Sequence, residues 1–357
     1  MSDSFDIVLN GERHRARTGE TVLRVAQRAG VHIPTLCNDD RLDAAGCCRA
    51  CLVEIDGQRR LQPSCAWKAA PGQVVHTESP KVRRHRELLV SLYMADHKLG
   101  PDGLPLHTTQ GNELRAWAEA TPHKKLTQVH APRAARGPDA NPYVAYDPAL
   151  CILCAKCTRY CDEIEAVNAI ALSGRGSETT IATAGTRGLL DTTCELCGGC
   201  IDVCPTGAMH AKQAPRFLAK AVFEKVRTTC NYCGVGCQID LNVHQGKVVQ
   251  VTAPPPGETV NDGNLCVKGR FAYEFIHHQD RLTTPLVRRA DGQLHPATWQ
   301  EALDTAAKGL LRVKDKHGPD ALGFVSSSRC TNEENYLVQK LARAAFGTNN
   351  VHQCAAT

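Results

Sequence analysis

Alternation and helical periodicity divide the chain before any chemistry is considered. Phe5–Leu9 and His14–Arg17 flank Asn10-Gly11, the pattern of two strands joined by a tight turn. Thr21–Ala29 switches to helical spacing and is stopped by Gly30. Cys51–Ile55 alternates again and runs into the Asp56-Gly57 hairpin signal. Ser79-Pro80 opens a helix whose expected apolar face is Leu88, Leu89, Leu92 and Tyr93. Thr121–Asn141, rich in His, Lys, Arg, Pro and Ala, reads as a linker with a solvated charge run. Further on, Thr298-x-x-Glu301 and Thr331-x-x-Glu334 are capping-box signatures. Trp299, Leu303, Ala306, Leu310 and Val313 follow the first at helical spacing, Ala321–Val325 is a short apolar strand, and the second box opens a helix through Ala345. Helix, strand, helix predicts the start of a doubly wound α/β domain. Its loop Ser326–Thr331 lies at the strand's carboxyl end, where such sheets bind ligands and a helix N-terminus favours phosphate.

The 357 residues suit two or three domains. A content of 42% hydrophobic and 22% charged residues excludes a disordered chain, and 5% aromatics implies modest cores. No apolar run reaches the ~18 residues that span a bilayer, and Met1–Asp6 has neither the basic nor the apolar part of a signal peptide. The expectation is a cytoplasmic protein without a membrane span. A formal charge of +5 is too small and dispersed to indicate nucleic acid. Nineteen cysteines change the picture, because in a reducing compartment clustered thiols mean metal rather than disulfides.

Sixteen of them form four sets: Cys37, Cys48, Cys51, Cys65; Cys151, Cys154, Cys157, Cys161; Cys194, Cys197, Cys200, Cys204; and Cys230, Cys233, Cys237, Cys266. Cys47, Cys330 and Cys354 stand outside, Cys47 beside a ligand candidate. The second and third sets share C-x2-C-x2-C-x3-C, repeated 43 residues apart, the spacing of bacterial ferredoxins. There the fourth Cys of each run crosses to the other cluster, because a tight loop wraps only three thiolates around one cube face. One 4Fe–4S cluster is therefore assigned to Cys151, Cys154, Cys157 and Cys204, the other to Cys194, Cys197, Cys200 and Cys161. Pro205 follows the last Cys as in the pattern; Asp162 after Cys161 departs from it. The first set, C-x10-C-x2-C-x13-C, sits in the strand, strand, helix, loop, hairpin order of a β-grasp ferredoxin and is read as 2Fe–2S. The fourth, C-x2-C-x3-C-x28-C, fits zinc or a cubane, and its place after two ferredoxin repeats favours a third 4Fe–4S cluster. Paired zinc ribbons are the competing reading, disfavoured because zinc prefers C-x2-C pairs with a longer spacer.

These sets, in this order, resemble the large subunit of cytoplasmic molybdenum- or tungsten-dependent formate dehydrogenases, which share their N-terminal part with the large iron–sulfur subunit of NADH:quinone oxidoreductase. Thr228–Cys237 and Asn264–Arg270 look like the two halves of the cluster motif opening the molybdopterin domain, and Ser326–Tyr336, SSSRCTNEENY, looks like the loop beside the pterin. The resemblance implies five regions: 1–78, 2Fe–2S; 79–140, helical linker; 141–218, paired 4Fe–4S ferredoxin; 223–280, 4Fe–4S unit of the molybdopterin type; and 281–357, the start of the molybdopterin α/β domain. It implies Lys268 as the electron relay between cluster and pterin, and Ser328, Arg329, Cys330, Asn332 and Glu333 as cofactor contacts. It further implies molybdenum or tungsten held by two molybdopterin guanine dinucleotides, formate oxidised to CO2 there, and electrons leaving towards a flavin- and NAD-binding diaphorase or a hydrogenase partner. An electron-transfer subunit of NADH:quinone oxidoreductase or of a bidirectional hydrogenase is the alternative.

Two departures from the family stand out. Its segment matching Gly347–Thr357 continues Cys-Ala-Arg, one residue, then the metal-ligating Cys or selenocysteine, which places that ligand at position 358 when Cys354 is matched to the first Cys. The expectation is a reading frame closed at a selenocysteine codon, and a 357-residue polypeptide that does not oxidise formate alone. The family's His-x3-Cys-x2-Cys-x5-Cys cluster falls on His97, Pro101, Leu104 and Gln110, so that cluster is expected to be absent and His97 to be an ordinary solvated or core residue.

Overall fold

The computed structural model describes residues 4–126, 139–217 and 223–354. Most of the expected linker, residues 127–138, lies outside the described residues, as do 355–357 and the Cys354 side chain.

The N-terminal unit is a mixed sheet of β1 (Ser4–Leu9), β2 (Glu12–Arg17), β3 (Leu52–Ile55), β4 (Gln62–Pro63) and β5 (Val74–His76), in the order β2-β1-β5-β3-β4. Asn10 and Gly11, at φ 53° and 93°, make the left-handed turn that matches the twist of β1 and β2. β1 runs parallel to β5, and the other ladders are antiparallel. α1 (Val22–Arg28) starts where Thr21 Oγ1 accepts from the Arg24 amide and lays Val22, Val25 and Ala26 on Ile7, Leu9, Val53 and Val75.

α2 (Pro80–Ala95) begins at the Ser79 cap, as the sequence predicts. Its buried face is different. Val82, Arg86, Val90 and Met94, each four apart, face inward, while Leu88 and Leu92 are 57% and 49% exposed. The i, i+4 row prevails because it packs against the Cys48 loop and α3 (Glu113–Ala120), where Leu114 and Trp117 wait; Leu89 and Tyr93 touch that core from its edge.

The next unit pairs β6 (Val144–Tyr146) with β9 (Met209–Ala211) and β7 (Ala171–Ser173) with β8 (Thr180–Ala182), and carries the short helices α4 (Lys156–Arg159) and α5 (Gly199–Asp202). An antiparallel sheet of β10 (Glu224–Thr229), β11 (Gln238–His244) and β12 (Lys247–Thr252) follows, then α6 (Val267–Phe271). The last region holds the hairpin β13 (Leu286–Arg288) and β14 (Leu294–Pro296), α7 (Trp299–His317), β15 (Phe324–Ser327), α8 (Asn332–Lys340) and β16 (Val351–Cys354), with β15 parallel to β16. The predicted strand Ala321–Val325 sits about three residues later, because Pro319–Ala321 forms a 3-10 turn. Thr331 and Glu334 complete a capping box, whereas Thr298 makes only half of one, the Glu301 carboxylate being taken by Arg289. The expected apolar stripe of α7 is not buried: Trp299 is 72% and Leu303 60% exposed. Among the described residues no helix is long and apolar enough to cross a membrane.

Candidate cluster-binding sites

The loop between α1 and β3 brings Cys37, Cys48 and Cys51 to Cys65, which follows β4, and all four are buried. Gly46 and Arg49, both at φ 59°, curl this loop. The Cys51 and Cys65 sulfurs lie 3.4 Å apart, and Ser64 Oγ donates to the Cys51 carbonyl at 2.8 Å. Hydrogen bonds from the Cys47 and Cys48 thiols hold Cys37 well below the usual thiol range. A hydrogen bond from Cys65 draws Cys51 down to about 7. Shared protons of this kind mark sulfurs crowded around one space.

The two ferredoxin runs have the same backbone. Leu153 and Leu196 (φ 56° and 55°) and Ala155 and Gly198 (φ 58° and 74°) are left-handed at matching positions. These reversals aim amide N–H groups at sulfur: Leu153 at Cys151, Leu196 at Cys194 and Gly199 at Cys197, each at 3.4 Å. Ala169 does the same for Cys161 at 3.2 Å and Met209 for Cys204 at 3.4 Å. N–H donors to sulfur stabilise negative charge there, as cluster-bound thiolates require. The fourth cysteines cross. Cys204 lies among Cys151, Cys154 and Cys157, and Cys161 among Cys194, Cys197 and Cys200, close enough for each thiolate to oppose ionisation of its neighbours. Burial is the larger cause, and it pushes Cys154 and Cys197 up to about 12 and Cys157 and Cys200 further. Such sets are poor thiolates until a cation joins them. Cys161, Cys194, Cys197 and Cys200 line a cavity of about 690 Å³ together with Tyr160 and Glu165, so their sulfurs ring a space. Among the described residues no three His, Cys, Asp or Glu side chains are grouped to hold a single metal ion.

The glycines here are spaces for neighbours. A Cβ on Gly199 would lie 1.9 Å from the Tyr160 ring, and one on Gly198 2.3 Å from Arg270 Cδ. Arg270, 3% exposed, donates through Nε to the Cys197 carbonyl at 2.7 Å and pairs with Asp202 at 2.6 Å. Because Arg270 closes α6, it ties the fourth cysteine set to the third. In that fourth set the Cys230 amide bonds the Cys237 carbonyl at 2.8 Å, and Cys230, Cys233, Cys237 and Cys266 lie within electrostatic reach of one another. Burial raises Cys230 and Cys237, and Cys266 is exposed. Lys268 is exposed two residues beyond Cys266.

The loop after β15 reaches this set: the Arg329 guanidinium stacks 5.8 Å from the Tyr232 ring, between Cys230 and Cys233 in the chain. Ser328 and Cys330 are half-buried, while Arg329, Asn332 and Glu333 are exposed. Four buried or half-buried cations were not singled out from the sequence. Lys156 is 5% exposed and its charge favours the Cys154 thiolate; Arg270, Arg41 and Arg159 lie along the unit contacts. The available signal was a basic residue inside or just after a cysteine motif. His97 is 5% exposed, a core residue whose Nδ1 lies 2.9 Å from the Lys98 carbonyl, and burial lowers its pKa.

Comparison with known proteins assigns these units. Residues 2–80 match a 2Fe–2S iron–sulfur cluster binding domain and 141–210 the ferredoxin-like domain of NADH-quinone oxidoreductase subunit 3. Residues 223–278 match the molybdopterin oxidoreductase Fe4S4 domain and 281–357 the molybdopterin oxidoreductase domain. The chain is 35% identical over 97% of its length to the NADPH-Fe(3+) oxidoreductase subunit alpha of Geobacter sulfurreducens and, also at 35% and 97%, to a subunit of an NADH-quinone oxidoreductase of Rhizobium meliloti. It is 29% identical over 99% of its length to a Staphylococcus aureus protein provisionally named a formate dehydrogenase. It spans about two fifths of the length of these relatives, 40%, 39% and 39%. A crystal structure of an NAD+-reducing [NiFe]-hydrogenase matches 59% of this chain and 88% of its own with 31% identity and a TM-score of 0.50.

Proposed function

We propose, from the premise that this chain belongs to the iron–sulfur electron-transfer oxidoreductases that carry molybdopterin domains, that it is the electron-conducting part of a formate dehydrogenase. The observation that carries the reading is the gathering of sixteen cysteines into four separate sets along one chain, two of them crossed. Cys37, Cys48, Cys51 and Cys65 would hold a 2Fe–2S cluster. The sets Cys151, Cys154, Cys157, Cys204; Cys194, Cys197, Cys200, Cys161; and Cys230, Cys233, Cys237, Cys266 would hold 4Fe–4S clusters. The residues fit: buried thiols, N–H donors on sulfur, cations nearby and a cavity ringed by sulfur are the donor set such groups need. When bound, the clusters supply one-electron carriers in series, and a molybdenum or tungsten bis-pterin centre beyond them supplies two-electron chemistry on formate.

The chain's own residues bind, space and tune. Lys156 and Arg270 place positive charge beside Cys154, Cys197 and Cys200. Arg329 and its neighbours Ser328, Cys330, Asn332 and Glu333 stand at the end of β15, with Lys268 beside Cys266, where a pterin would meet the fourth set. Formate is supported by the Staphylococcus relative and the SSSRCTNEENY loop. The hydrogenase match favours a second reading, an electron-transfer subunit of an NAD- or quinone-linked complex, and in either case a flavin-bearing or hydrogenase partner.

Anaerobically purified protein is expected to contain about 14 iron atoms with matching acid-labile sulfide, and to give 2Fe–2S and 4Fe–4S paramagnetic signals after dithionite. Colourless, zinc-loaded protein would defeat both readings. Molybdenum or tungsten with pterin in the same preparation, and cluster reduction by formate, would support the first; reduction by NADH alone, without either metal, would support the second.

A further inference from the structure

Cys47 is the thiol that the C-x10-C-x2-C-x13-C spacing leaves unused. Its surroundings are specific. Its side chain is in hydrogen-bond contact with the Cys37 sulfur, as that of Cys48 is. Its Sγ also donates to the Cys154 carbonyl at 3.3 Å, across 107 residues of sequence. The loop holds it there. Tyr93 Oη donates to the Cys48 carbonyl at 3.0 Å, His85 Nε2 lies 3.1 Å from the Arg49 carbonyl, and Arg159 of α4 bonds the carbonyls of Cys37 and Asp43.

We propose that Cys47 is a positioning and tuning residue whose single S–H is shared between the Cys37 sulfur of the first set and the Cys154 carbonyl of the second, seating one set against the other and favouring the reduced form of the 2Fe–2S group. The inference rests on the cluster assignment above. One proton here faces two acceptors. It moves towards whichever carries more negative charge. An electron added to a cluster on Cys37 puts charge on that sulfur, so the hydrogen bond strengthens on reduction and raises the potential. A ligand role does not fit: the four set members are buried, whereas Cys47 is exposed and donates to backbone of the neighbouring unit.

The test uses the full chain, prepared anaerobically, with Cys47→Ala and Cys47→Ser. Iron content and the dithionite-reduced 2Fe–2S signal are expected to be unchanged in both. In a redox titration followed by that signal, Cys47→Ala should lower the reduction equilibrium up to about tenfold, about 59 mV for one electron. Cys47→Ser, which keeps a donor, should recover most of the shift. An unmoved midpoint in Cys47→Ala would overturn the proposal, and so would loss of two irons with the 2Fe–2S signal, which would make Cys47 a ligand. Absence of any 2Fe–2S signal from the unsubstituted chain would instead remove the cluster assignment, and this inference with it.

Discussion

At the scale of single residues, the sulfur positions are governed by backbone reversals as much as by cysteine spacing. Leu153 and Ala155, neither of them glycine, adopt the same left-handed conformation as Leu196 and Gly198 in the second run. Residues with a Cβ ordinarily avoid that region, so the surrounding packing must hold them in it. The return is a set of amide donors at 3.2–3.4 Å from sulfur. The crossed arrangement makes a residue-scale prediction. Cys204→Ser should abolish the 4Fe–4S signal of the Cys151 run and Cys161→Ser that of the Cys194 run, each lowering iron by about four atoms. Iron analysis and low-temperature spectra of the two variants check it; loss of the opposite cluster in either would show uncrossed sets. The spacing of the cysteines made this arrangement readable, whereas the neighbouring charges were not. Lys156 and Arg270 look like surface cations in a sequence, and only burial to 5% and 3% exposure shows that they balance charge among the thiols.

Among the elements, α2 is the clearest lesson in what periodicity leaves open. Two apolar rows run along it, Leu88/Leu92 and Val82/Val90/Met94, and hydrophobicity alone favours the leucines. The structure buries the other row, together with Arg86, because the partner surface is the Cys48 loop and α3. Leu114 of α3 has no exposed surface in that contact. Leu114→Ala should therefore destabilise the folded chain by about 2–5 kcal/mol, and Leu88→Ala by no more than about 0.5 kcal/mol. Thermal or denaturant unfolding of the two variants measures the contrast; equal losses would mean that α2 packs through its leucine face. The same core holds Cys37, Cys48 and Cys154, so a cavity at Leu114 should also loosen the contact between the first two cysteine sets. The α7 stripe teaches the complementary point: a helix is specified by its Thr298 cap and spacing even where Trp299 and Leu303 stay largely exposed.

For the molecule as a whole, a few long-range polar contacts set how the units meet. Arg41 of the first unit donates to the Gly263 carbonyl at 2.9 Å and to Asn264 Oδ1 at 3.1 Å, and Tyr160 of the second donates to the same Asn264 oxygen at 2.8 Å. Arg270 reaches back from α6 to Cys197 and Asp202. Arg270→Ala removes one partner of a buried pair and should cost about 3–5 kcal/mol. It should also make residues 223–280 unfold separately from the ferredoxin unit, seen as a second transition in calorimetry or early cleavage in limited proteolysis; a single, unshifted transition would refute this. Cysteine spacing alone determined the four thiol sets and the expectation that two of them cross, because C-x2-C-x2-C-x3-C is a local geometric code, and capping residues alone located the starts of α1, α2, α7 and α8. Which face of each helix is buried, which cations stand among the sulfurs, and that Cys47 spans two sets 107 residues apart were decided only by tertiary structure. Burial and through-space contact depend on what arrives from distant parts of the chain, and no local pattern encodes that.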